Sequence, residues 1–298
     1  MRSSIHTQLA LGAAIVVAIA IPVAAGATDS GKVGRLAFGL IAADGNTDIY
    51  SVMPDGSEQR RLTTAKSFDA CAAYSPNGRE IAFCSDRTGK YQVWLMQQDG
   101  SGQHPLTRGP YEALFPRYSP NGKRIAYEAD DGGPPKADIY VVGVRGGAAR
   151  RFTGAPGNDV SPTFSPDGKT IAFISARKGT PQLWLMNGSD GHNQRQLTRD
   201  LPAKGERVEW SPDGSLLAYE AGNDIWVVQP DGSEPRNLTR SRSIEFGPTW
   251  SPDSEEIAFV RKDGAKRRVF VMNADGSHAH PVGGSPGAQL VPSWQTLR

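Results

Sequence analysis

Three carboxylates, Asp69, Asp159 and Glu245, each stand five residues ahead of an aromatic that introduces a Ser-Pro-Asx string. The same slot holds Ala113, Gly205 and Gln289 elsewhere in the chain. Carboxylates gathered at one repeated position could bind a cation or a partner's basic group. With a metal they could run hydrolysis or elimination on a sugar. They could equally cap loops by accepting backbone N–H bonds, as Asp does in turns. A second set is basic: Arg87, Lys90, Lys136, Arg177, Lys178, Arg261, Lys262, Lys266, Arg267 and Arg268 all fall in or beside loops. They read either as a docking rim for an acidic partner or as a solvated, salt-bridged surface.

Other chemistry is thin. Asp44-Gly45-Asn46-Thr47-Asp48 imitates the start of an EF-hand loop, but Ile49 stands where that loop needs Gly and Asp55 where it needs Glu. His278 and His280 form a His-x-His pair with no carboxylate in register, so no metal site is expected. Two cysteines in 298 residues cannot build a disulfide scaffold or a Cys-rich zinc site. A net charge of +2 gives no electrostatic reason to expect nucleic acid as a partner. No nucleophile–base pair and no cofactor motif is apparent, so no cofactor is expected.

The elements that must position these residues are written as a repeat. Ser-Pro-Asn/Asp-Gly occurs at Ser75, Ser119, Ser165 and Ser211, and Ser251-Pro252-Asp253-Ser254 nearly matches. An aromatic precedes each one: Tyr74, Tyr118, Phe164, Trp210 and Trp250. Two short apolar strands follow, such as Ile81-Ala82-Phe83 and Val93-Trp94-Leu95-Met96, then a Gly-bearing turn and a Leu-Thr such as Leu106-Thr107. Each unit reads as four antiparallel strands on tight turns, and a period of roughly 44 residues is that of a β-propeller blade.

The ends complete the count. Residues 32–63 hold strands two to four of a blade, and residues 284–298 hold a first strand ending at Trp294. Full blades are expected at 64–107, 108–153, 154–198, 199–239 and 240–283, within one all-β domain over 28–298. The C-terminal strand should pair with the N-terminal three and close a six-bladed ring, which removes open sheet edges. In that register, if Tyr74 faces Ile81, Cys71 faces Cys84. A cross-strand disulfide and two free packed thiols are both compatible with this.

With Pro-Asp-Gly where many propellers carry Trp-Asp, the pattern resembles the TolB-type, WD-like propeller repeat over about residues 32–298. The resemblance implies an exported binding protein. It does not extend to the α/β domain that precedes the propeller in periplasmic TolB, so a Tol–Pal role is not implied. Residues 1–27 read as a signal peptide: Arg2, an apolar run from Leu9, and Ala25-Gly26-Ala27 as a cleavage site. The alternative is an uncleaved membrane anchor.

Strand order puts the repeated short turns on one face and the varied loops on the other. Binding chemistry is expected on the varied face. The channel mouth would contribute Asp69, Asp159, Glu245 and Gln289. The rim would contribute Arg87, Lys90, Arg177, Lys178, Arg267 and Arg268. The reading is a monomeric, non-catalytic module, periplasmic or extracellular, that holds a protein or cell-envelope polymer. A carbohydrate-active hydrolase or lyase working at the channel is the alternative.

Overall fold

The Ser-Pro-Asx-Gly string makes a self-sufficient turn. In the second blade Ser75 Oγ donates to Asn77 Oδ1 (2.8 Å) and accepts Glu80 N–H (3.0 Å). Gly78 N–H donates to Ser75 O (2.8 Å), with Gly78 at φ +66°. The same bonds recur at Ser165, Ser211 and Ser251. Ser254 adopts φ +68° where the other turns have glycine, a conformation that L-residues take only at a cost.

The computed structural model describes residues 34–130, 137–199, 203–283 and 287–296. These form six antiparallel sheets, each read from the inside outward. Blade 2 runs Asp69–Tyr74, Glu80–Ser85, Gln92–Gln97 and His104–Pro105. Blade 3 runs Glu112–Tyr118, Arg124–Asp130, Ala137–Gly143 and Arg150–Arg151. Blade 4 runs Asp159–Phe164, Thr170–Ser175, Gln182–Asn187 and Arg195–Gln196. Blade 5 runs Ala203–Trp210, Leu217–Ala221, Asp224–Val228 and Arg236–Asn237. Blade 6 runs Ile244–Trp250, Glu256–Asp263, Lys266–Asn273 and His280–Pro281.

Blade 1 is the split one. Leu36–Ile41, Thr47–Val52 and Arg60–Arg61 are completed on the inside by Ala288–Gln289 and Ser293–Trp294. Leu36 pairs with Trp294 and Leu40 with Gln289. The inner strands then pack one on the next, from blade 2 round to Ser293–Trp294 and back to blade 2. Trp294 Nε1 donates to Gly34 O (3.0 Å), and Gln295 Nε2 reaches Gly78 O of blade 2 (2.9 Å).

Apolar clusters lie between neighbouring blades rather than in one central core. Phe83, Phe173, Tyr219 and Phe259 are fully buried at equivalent positions, each phenylalanine contributing roughly 1.5–3 kcal/mol. The Leu-Thr at the end of a blade has a specific task. Thr63, Thr107, Thr153, Thr198 and Thr239 each accept, through Oγ1, the first N–H of the core of strand three.

The outermost strands leave sheet edges exposed to pairing. One register position there is basic or imidazole in every blade: Arg60, His104, Arg150, Arg195, Arg236 and His280, all exposed. Charge at this position opposes edge-to-edge association. Replacing Arg60, Arg150 and Arg236 together with valine is therefore expected to leave the circular dichroism spectrum unchanged and to produce concentration-dependent oligomers in sedimentation velocity. A variant that stays monomeric at high concentration would exclude this role.

Candidate functional site

The channel-mouth carboxylates are buried, and each is held inside its own blade. Arg87 turns inward from the loop between strands two and three. Its Nη2 donates to Asp69 Oδ2 (2.7 Å), its Nε to Ser85 Oγ (2.8 Å) and its Nη1 to Gln103 Oε1 (2.8 Å). The guanidinium lies 4.5 Å from the Trp94 ring centre and 5.5 Å from that of Phe83. Blade 4 repeats the arrangement. Arg177 binds Asp159 Oδ2 (2.7 Å), Ser175 Oγ (2.8 Å) and Gln194 Oε1, with Trp184 at 4.6 Å and Phe173 at 5.4 Å. In blade 6, Arg261 Nε donates to Glu245 Oε1 (2.7 Å) against Phe270 at 4.3 Å.

The side chains of Asp69, Asp159 and Glu245 have no exposed surface. They form no shared ring. Burial raises the Asp159 carboxyl above its usual range, and the Ser175 hydroxyl and the Arg177 guanidinium oppose that rise. Gln289 is likewise occupied. Blade 6 has Val282-Gly283 where other blades have Leu-Thr or Phe-Thr, and Gln289 Oε1 accepts Val269 N–H in place of the missing threonine. Of the six expected rim residues, Arg87 and Arg177 are thus spent internally. Lys90 donates to Pro110 O and Lys178 lies 5.2 Å from the Trp184 ring centre. Arg267 lies against Phe246, and Arg268 is exposed on the blade 6 hairpin, facing Arg261 across the strands. Lys136 lies outside the described residues.

The cysteine register is shifted by one. A β-bulge between Ala70 and Ala73 makes Cys84 face Ala70, and Cys71 takes φ +56° within the bulge. Both thiols are free, with Cys71 in hydrogen-bonding reach of Cys84. A register shift recurs in every full blade, and in blades 3, 4 and 6 it exposes an N–H that the previous blade satisfies. Phe115 N–H donates to Cys84 Sγ (3.4 Å), Ser161 N–H to Glu128 Oε2 (2.9 Å) and Gly247 N–H to Glu220 Oε1 (2.5 Å). Strand-two side chains thereby bolt blade to blade.

These bolts bury charge that sequence reasoning missed. Burial pushes the Glu128 carboxyl up to about 7. Arg207, buried on the inner strand of blade 5, reaches across the channel. Its Nη1 donates to Pro292 O of the closing strand, and its Nε lies 3.2 Å from Glu209 Oε2. Burial first, and the neighbouring Arg117 second, push the Arg207 guanidinium down to about 9. The sequence signal was present as Glu128 and Glu220 on otherwise apolar second strands, but the bulge in the next blade's inner strand that supplies their N–H partners was not.

The letters of a nucleophile elbow occur once, at Gly283-Gly284-Ser285-Pro286-Gly287. An elbow needs a strand-to-helix turn. Here the flanking elements are the strands His280–Pro281 and Ala288–Gln289, and residues 284–286 lie outside the described set.

A profile of the TolB beta propeller domain matches residues 23–133 and 102–297. The chain belongs to the TolB β-propeller family. The Tol-Pal system protein TolB of Anaeromyxobacter dehalogenans (strain 2CP-C) is 33% identical over 109 residues, 35% of this chain and 25% of that protein. Among solved structures, TolB from Acinetobacter baumannii superposes with a TM-score of 0.78 at 22% identity, covering 88% of this chain and 66% of that one. A putative TolB from Agrobacterium tumefaciens gives 0.69 at 20% identity, covering 89% and 92%. At these identities the structural likeness establishes the propeller alone. No helix among the described residues is long and apolar enough to cross a membrane.

Proposed function

We propose that this TolB-family propeller is an exported, non-catalytic binding module. Its varied loop face holds an acidic protein surface or an acidic polymer of the cell envelope. One observation carries the reading: the carboxylates that catalysis would need at the channel mouth are each consumed in a buried ion pair, while the varied face offers open cations. A general acid or nucleophile must reach its substrate, and Asp69, Asp159 and Glu245 are sealed by arginine and aromatic rings. The most prominent cations sit on the blade 6 hairpin, where Lys266 and Arg268 are exposed. Opposite-charge partners associate faster and more specifically with such a surface.

Residues 1–27, outside the described residues, supply the export signal in this reading, and the propeller acts as a monomer. The name of the Anaeromyxobacter relative ties that protein to the Tol-Pal system, and an envelope setting is consistent with it. The test is quantitative capture from envelope extract by the immobilised chain, compared with the Lys266→Glu/Arg268→Glu variant. We expect capture to fall at least tenfold in the variant and to weaken with salt in the wild type. Equal capture by both proteins would overturn the docking face. Turnover of an envelope glycan that is abolished in an Asp159→Asn variant of unchanged fold would restore the enzymatic alternative.

A further inference from the structure

Blades 2 and 4 share one scaffold and differ in charge at its outer edge. Both carry the arginine clip on an aspartate, a serine, a glutamine and a tryptophan. Around it, blade 2 has Thr88, His104 and Pro105 where blade 4 has Lys178, Arg195 and Gln196. The scaffold therefore does not require the blade 4 cations. They line a groove of about 610 Å³ together with Trp184, Gln194 and Arg199, a volume suited to a small ligand.

The groove draws on three elements: Lys178 from the loop between strands two and three, Arg195 from strand four, and Arg199 from the link to blade 5. All three are exposed. The glutamines are already engaged. Gln194 accepts from Arg177 and donates to Phe152 O (3.1 Å) and Gly191 O (2.9 Å). Gln196 accepts from Lys178 (3.2 Å) and donates to Thr198 O (2.8 Å). Arg195 spends one Nη2 bond on Pro230 O (3.3 Å). Asp231 interacts with Arg195 electrostatically, yet none of the three cations forms an ion pair among the described residues. The uncommitted donors are thus guanidinium and ammonium N–H groups, which suit oxyanions.

We propose that this groove binds a multivalent oxyanion, a ligand carrying two or more phosphate or carboxylate groups. The site is separate from the blade 6 hairpin and does not depend on what docks there.

Isothermal titration of the full chain at low ionic strength with pyrophosphate and, separately, with citrate tests it. We expect saturable one-to-one binding of at least one of the two. That binding should weaken at least tenfold in Lys178→Ala/Arg199→Ala and stay unchanged in Arg145→Ala, an exposed cation on blade 3. Binding of pyrophosphate alone assigns a phosphate ligand, and binding of citrate alone a carboxylate ligand. Circular dichroism checks that the double variant is folded. The proposal is overturned by no saturable binding of either anion, or by a folded double variant that binds as the wild type does.

Discussion

Arg177→Met is expected to destabilise the propeller by about 3–5 kcal/mol, because it leaves a buried carboxylate without its counter-charge. Asp159 has no exposed side-chain surface, and Arg177 is its only ion-pair partner among the described residues. Methionine keeps much of the apolar contact with Trp184, so the loss reports mainly on charge. The effect has a pH signature. Burial already raises the Asp159 carboxyl, and removing the guanidinium raises it further. A raised acid is protonated in the native state before it is in the unfolded chain. The variant's deficit therefore shrinks as pH falls from neutral towards the ordinary carboxyl range. Asp159→Asn/Arg177→Met should recover part of the loss at neutral pH. Equilibrium denaturation of the three proteins at two pH values measures this. A single variant within about 1 kcal/mol of wild type would show that the clip is dispensable.

Glu128→Gln is expected to stabilise the protein at pH 8 by about 2–3 kcal/mol and to have little effect near pH 4. Burial moves the Glu128 carboxyl from 4.5 to about 7 in the native state. Between those values the folded protein holds a proton that the unfolded chain has released. The stability tied to this group is fully present below about 4.5 and is lost as pH rises through about 7. Glutamine keeps an acceptor for the Ser161 N–H bolt and carries no charge to desolvate. The discriminating result is the slope: denaturation midpoints of Glu128→Gln should vary less between pH 5 and 8 than those of wild type. Parallel profiles would mean that Glu128 is solvated as an ordinary carboxylate.

These two residues also mark the limits of sequence reading. Asp69, Ser85 and Arg87 have the same spacing as Asp159, Ser175 and Arg177, so the clip was written in the sequence twice. What the spacing lacks is direction. An arginine in a loop reads as solvent-facing unless an aromatic pair is known to lie beneath it, and Trp94 and Trp184 come from the third strand of the sheet. Gln289 poses the same problem. Its role depends on a threonine missing from blade 6, and ring closure alone brings the two ends of the chain together to supply the replacement.

By itself, the sequence determined the blade and its repetition, with Trp294 in the aromatic slot of the split one. Those features rest on local turn chemistry and two-residue alternation, which act within a few residues. The tertiary structure decided which charges are free. A one-residue bulge in the inner strand of blade 2 turned Cys71 out of line with Cys84, and ring closure put Pro292 O within reach of Arg207. The arginine clips, each folded over its own blade, sealed Asp69, Asp159 and Glu245, while Lys178, Arg195 and Arg199 stayed exposed. Burial is a property of the assembled ring, and a charge's chemistry follows from its burial.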